Sequence, residues 1–103
     1  MAIVYANTSN FKEQIANGLT LVDFYADWCG PCRMLAPVLE QVDQELDEVT
    51  IVKVNVDENE DLARQFGIMS IPTLILFRNG EQIAQTIGFQ PKERLIQWIN
   101  GNK

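Results

Sequence analysis

The sequence contains no histidine. That absence removes the side chain most often used for proton transfer near neutral pH, and with it His-containing zinc sites and Ser-His or Cys-His nucleophile pairs. Acid–base chemistry falls to carboxylates, lysine, tyrosine or a thiol. Cysteine is scarce too, with two in 103 residues. A chain of this length buries roughly 65% of the surface its unfolded form exposes, so it needs no covalent staple. Basic residues are outnumbered, eight against 14 acidic ones, for a net charge of -6. They are scattered, which argues against nucleic acid or an anionic membrane as the main partner, since both select clustered Lys and Arg. No apolar run reaches the length of a membrane span, and Met1 to Asn7 carries no basic segment. The expectation is a soluble cytoplasmic protein. In a reducing compartment, paired cysteines are more often catalytic or metal-binding than structural.

No linker, charge block or internal repeat divides the chain, so one domain over residues 1–103 is expected. Within it the apolar period changes repeatedly. Ala2 to Tyr5 reads as a short strand; Thr8, Ser9 and Asn10 offer an N-cap to a helix carrying Phe11 and Ile15, which Gly18 ends. Leu19 to Ala26 returns to strand. From Cys32 to about Leu46, positions Leu35, Val38, Leu39, Val42 and Leu46 follow helical spacing, with a kink expected at Pro37. Val49 to Val56 is a β-branched strand, and Asn59 to Phe66 a short helix stopped by Gly67. Thr73 to Phe77 and Gln82 to Ile87 flank Asn79-Gly80, the favoured two-residue hairpin turn. Pro91 opens a last helix with Leu95, Ile96 and Ile99 inward and Gly101 closing it, and Trp98 packs there. The expected fold is α/β, ordered βαβαβαββα. It is a mixed central sheet built from parallel crossovers and a terminal antiparallel hairpin, with helices on both faces.

Cys29 and Cys32 fall where the second strand hands over to the longest helix, the kind of junction at which such sheets bind ligands. A thiol at a helix N-terminus faces open backbone N–H groups and the positive end of the helix dipole, which favour its thiolate. Cys29 is thus the expected nucleophile. Cys32, one turn on and expected to be the more buried, can attack the mixed disulfide that Cys29 forms and close a Cys29–Cys32 bond. A purely structural disulfide is disfavoured, because so small a ring stabilises by only about 2 kcal/mol in the chain-entropy picture. A metal site would need four ligands, and one C-x-x-C without histidine supplies two. Asp23 interrupts the apolar run Leu21 to Tyr25. It is either a buried carboxylate with a raised pKa, suited to general acid–base work, or a solvated residue on an edge strand. Lys53 lies alone in the third strand, either paired with Asp23 or solvated at an edge.

The segment Val22-Asp23-Phe24-Tyr25-Ala26-Asp27-Trp28-Cys29-Gly30-Pro31-Cys32 resembles the active-site strand and turn of the thioredoxin family. Ile71-Pro72-Thr73, Asn79-Gly80 and Gly88 extend the resemblance over nearly the whole chain. Tyr25 departs from it, standing where the family commonly carries Trp or Phe. The resemblance implies that Asp23 is the buried base for Cys32, with Lys53 tuning it, and that Pro72 is cis and faces the cysteines. It also implies that the backbone of Ser70 and Ile71 pairs with an extended substrate beside Gly88, while Trp28, Gly30 and Pro31 complete the substrate-binding surface. Trp28, Ile71, Met69 and Phe89 are candidates for an apolar rim around Cys29.

The function expected is a protein-disulfide reductase, a thiol–disulfide oxidoreductase that carries electrons on one dithiol. No bound cofactor is expected, because no Gly-rich phosphate loop is present, and no metal, because the pair supplies too few ligands. The implied partners are disulfide-containing proteins and an NADPH-dependent flavoprotein, thioredoxin reductase, with the chain a monomer. Two other readings compete. One is a docking subunit whose thiols act only as a switch; the other is a disulfide-forming or isomerising enzyme on the same fold.

Overall fold

The computed structural model describes residues 3–103. Its elements are β1 (Val4–Tyr5), α1 (Phe11–Ile15), β2 (Leu19–Tyr25), α2 (Gly30–Glu45), β3 (Val49–Asn55), α3 (Glu60–Gln65), β4 (Thr73–Arg78), β5 (Glu81–Ile87) and α4 (Lys92–Asn102). The expected order therefore holds. Ala2, which the sequence places in the first strand, lies outside the described residues.

Five strands form one sheet in the order β1-β3-β2-β4-β5. β3 runs parallel to both β1 and β2, whereas β4 is antiparallel to β2 and β5 antiparallel to β4. Helix α3 thus does not make the parallel crossover the alternating pattern suggests. The hairpin joins by its first strand, so antiparallel pairing begins inside the sheet.

Strand alternation sorts the core into two layers, because successive side chains point to opposite faces. On one face Leu19, Leu21, Val49, Ile51, Leu74 and Leu76 meet Leu35, Leu39 and Val42 of α2 and Leu95 and Ile99 of α4. Ile96 and Trp98 pack against that layer. On the other, Val22, Phe24, Val52, Val54, Ile75 and Phe77 meet Phe11 and Ile15 of α1 and Leu62 of α3. Phe11 anchors this second layer, with ring centroids 5.4 Å from Phe66, 5.9 Å from Phe77 and 6.3 Å from Phe24. Covered on both faces, β2 is buried along its length except at Tyr25.

Several helix ends differ from expectation: α1 stops at Ile15, ahead of Gly18, and α3 spans Glu60–Gln65 rather than Asn59 to Phe66. α2 starts at Gly30 rather than Cys32, with Pro31 in its first turn, where a missing N–H costs nothing. α4 runs past Gly101 to Asn102, because Gly101 does not adopt the left-handed backbone that ends a helix. Pro37 lies inside α2, which continues through it to Glu45.

At the end of the sheet away from the cysteines, Asn79 (φ 49°) and Gly80 (φ 85°) make the expected left-handed turn. The Asn79 Oδ1 accepts from the Gly18 N–H at 2.7 Å, and the Asn79 N–H donates to the Gly18 carbonyl at 2.8 Å. This bolts the hairpin to the entry of β2. Replacing Asn79 with Ala removes the side-chain acceptor and puts a Cβ-bearing residue without local compensation at positive φ. A loss of about 1–2 kcal/mol is expected, read as a lower urea midpoint at unchanged slope, with dithiol reactivity intact.

Candidate active site

β2 ends at Tyr25, and the chain turns through Ala26 to Trp28 before α2 begins. The Cys29 N–H donates to the Ala26 carbonyl at 3.3 Å, and Arg33 Nη1 donates to the Asp27 carbonyl at 2.9 Å, which fixes the turn. Cys29 is the N-cap residue of α2. Its Sγ accepts from the Cys32 N–H at 3.2 Å, so the sulfur occupies the position in which a helix N-terminus stabilises negative charge. Cys29 and Cys32 are joined as a disulfide.

Their accessibility is not what the sequence suggests. Cys29 is 4% exposed and Cys32 3%, so burial does not separate the two sulfurs in the disulfide form. Surroundings do. Cys29 Sγ lies 3.8 Å from the carbonyl oxygen of Ile71, on the loop that brings in substrate-binding candidates, whereas Cys32 lines a crevice of about 210 Å³ with Tyr25, Ala36 and Lys53.

The Ile71–Pro72 peptide bond is cis. Ile71 packs against the cluster of Ala26, Cys29 and Cys32. Gly88, at φ 98° where only glycine sits without strain, donates its N–H to the Pro72 carbonyl at 2.8 Å and so joins the same loop. Thr73 Oγ1 donates to the Ser70 carbonyl at 2.5 Å. Ser70 is therefore partly engaged. Among the described residues, neither the Ser70 N–H nor the Ile71 N–H and carbonyl makes a backbone hydrogen bond, so both residues present open backbone beside the cysteines.

The rim is more exposed than apolar side chains usually are. Trp28 is 68% exposed, Met69 95% and Phe89 39%. Trp28 is not loose: its indole Nε1 donates to Asp57 Oδ2 at 2.8 Å. Asp57 carries no mark in the sequence beyond membership of an acidic loop. Met34, on α2, adds another exposed apolar side chain that the helical pattern does not single out.

Asp23 occupies the central strand and is fully buried, which excludes the solvated edge reading. Burial pushes its carboxyl from the ordinary 3.8 up to about 7, against the lowering influence of the Lys53 charge. Among the described residues, neither carboxyl oxygen has a hydrogen-bond partner. Lys53 is Asp23's register partner on β3, an interior strand, and is only 8% exposed. The two do not form an ion pair. Instead the Lys53 Nζ lies 4.6 Å from the centroid of the Tyr25 ring and 5.8 Å from that of Tyr5.

A disulfide at a helix N-terminus, a cis-proline loop against it and an unpaired buried carboxyl on the face that carries the same helix form one constellation. The family model for thioredoxin matches residues 2–101. The chain is 50% identical over 101 residues to thioredoxin of Bacillus subtilis (strain 168), covering 97% of each. It is 53% identical over 101 residues to that of Staphylococcus haemolyticus (strain JCSC1435), again 97% of each, and 52% over 94 residues to that of Chlamydia pneumoniae, 91% of this chain and 92% of the other. A solved mutant thioredoxin from Halobacterium salinarum NRC-1 superposes with a TM-score of 0.88 at 36% identity, covering 99% of this chain and 95% of that one. The chain belongs to the thioredoxin family, and its Cys29–Cys32 pair is the dithiol of a thiol–disulfide oxidoreductase that reduces disulfides.

Proposed function

We propose that Cys29 and Cys32 divide the reduction of protein disulfides between them as nucleophile and resolving thiol. The Cys29 thiolate attacks one sulfur of the substrate disulfide, forming a Cys29–substrate bond and expelling the other substrate sulfur as a thiolate, which takes a proton from water. The Asp23 carboxylate then accepts the Cys32 proton. The Cys32 thiolate attacks Cys29 Sγ, the Cys29–Cys32 bond forms, and the second substrate sulfur leaves. Two electrons pass to the substrate, and the chain ends as the disulfide. The observation that carries this assignment is the Cys32 N–H directed at Cys29 Sγ: that donor stabilises charge on Cys29 and not on Cys32.

The substrate segment lies extended against Ile71, with Ser70 contributing less because Thr73 already engages its carbonyl. Trp28, Met69 and Phe89 cover apolar side chains of that segment, while Gly30, Pro31, Pro72 and Gly88 shape the floor. Lys53 acts through Asp23. The electrons are returned by an NADPH-dependent flavoprotein, thioredoxin reductase, acting on the monomeric chain in the cytoplasm. The test is an assay in which NADPH oxidation is followed with that reductase and a disulfide-containing protein. Consumption should require all three proteins, and consumption unaffected by leaving out this chain contradicts the proposal.

A further inference from the structure

Three side chains compete for the Lys53 ammonium on one face of the sheet. Tyr5 on β1 and Asp23 on β2 are both register partners of Lys53, and Tyr25, two residues beyond Asp23, points to the same face. A buried ammonium beside a buried carboxylate ordinarily pairs with it, because each is costly to desolvate alone. Here the pair is absent. Both Asp23 oxygens lack a hydrogen-bond partner, while Nζ sits over the Tyr25 ring at 4.6 Å, with Tyr5 at 5.8 Å. These distances lie within the roughly 6 Å reach of cation–π attraction, which gains strength where water is excluded.

We propose that Tyr25 is a positioning residue: its ring, backed by Tyr5, seats the Lys53 ammonium out of ion-pair contact with Asp23, so that the buried carboxyl feels that charge only at a distance. Among the described residues, the neighbourhood offers Asp23 no replacement. Lys53 is the charge that acts on it. β4 presents Leu74 as its register partner. α4 buries Leu95 and Ile99, and α2 buries Cys32, Leu35, Leu39, Val42 and, farther along, Asp43. Around the seat itself, Asp27 and Glu58 act on the Tyr25 phenol, and Arg33, in the same crevice as Lys53, is tied to the Asp27 carbonyl. Tyr25 thereby governs when Asp23 can exchange a proton. That consequence for the reaction rests on the acid–base role proposed above for Asp23; the seat does not.

The experiment is a carboxyl NMR titration of Asp23 in the oxidised protein, for wild type, Tyr25→Phe, Tyr25→Leu, Lys53→Met and the Tyr25→Leu/Lys53→Met double variant. Tyr25→Leu frees the ammonium to approach Asp23, which favours the charged carboxylate, so the midpoint should fall by about 1 pH unit or more. Tyr25→Phe keeps a ring face and should titrate as wild type does. Lys53→Met should raise the midpoint, and in that background Tyr25→Leu should lower it no further. The proposal is overturned if Tyr25→Leu leaves the midpoint in place, or if Tyr25→Phe lowers it equally, since the hydroxyl would then be the agent. It is also overturned if the fall persists without Lys53, because water entry would then be the cause. Measuring the rate of mixed-disulfide resolution against pH in the same variants separates the two readings. A lowered Asp23 midpoint with an unmoved rate profile supports the seat and removes Asp23 from the proton transfer.

Discussion

A Cys32→Ser variant captures its substrate and cannot let it go. With Cys29 intact, attack on a substrate disulfide proceeds, but no thiolate follows to close the Cys29–Cys32 bond, so the Cys29–substrate disulfide accumulates. Intact mass after incubation with an oxidised protein should show the chain plus one substrate, released by added reductant. Cys29→Ser should show no adduct, since the sulfur capping α2 is gone and the remaining thiol faces the Tyr25–Lys53 crevice rather than the Ile71 loop. Each replacement is expected to remove essentially all catalytic turnover, because the two sulfurs act as one unit. Adducts on Cys29→Ser and none on Cys32→Ser would reverse the assigned roles.

Asp23→Asn should stabilise the protein at neutral and alkaline pH while slowing it as a reductase. The unfolded carboxyl titrates near its ordinary 3.8, the folded one near about 7. Between those values the native state holds a proton the unfolded state has shed, so stability declines as pH rises from about 4 to about 7 and stays reduced above. Three units at 1.36 kcal/mol each correspond to about 4 kcal/mol, an upper bound for a group with no exposure. An amide has no proton to lose. Oxidised wild type and Asp23→Asn should therefore unfold at similar urea concentrations near pH 4 and diverge by pH 8, with the variant the more stable. Parallel pH dependences would contradict the burial of an unpaired carboxyl. In turnover the same variant lacks the base proposed above for Cys32. A loss of about 10-fold or more is expected near pH 7, narrowing toward pH 9 as the thiol ionises unaided.

The parts of this molecule legible in the sequence are those that depend on neighbours along the chain. Helix and strand order follow from apolar period, the hairpin turn from Asn79-Gly80, and the reactive pair from two cysteines at the mouth of a helix. Direction and adjacency are different. Nothing in Thr73 to Phe77 says that β4 runs against β2, so the third connection is misread as a parallel crossover. Asp23 illustrates the boundary: the pattern places it in a strand, but only the order β3-β2-β4 decides that it is buried. Lys53 lies beyond that boundary. Its seat depends on three strands meeting in one register, and the pairing with Asp23 that its sequence position suggests gives way to the ring of Tyr25. Asp57 was equally invisible, since its bond to Trp28 spans 29 residues.

Function at this fold turns on direction of electron flow, because the same two sulfurs can oxidise, isomerise or reduce. The most direct test is a redox titration of the purified chain in glutathione buffers, with the dithiol fraction read from the mass added by a thiol-alkylating reagent. A reductant requires a midpoint at or below the cytosolic glutathione range, more negative than about -220 mV. That is the result expected here. A midpoint well above it, near the about -120 mV of a strong disulfide donor, would contradict the reductase account and favour a disulfide-forming enzyme.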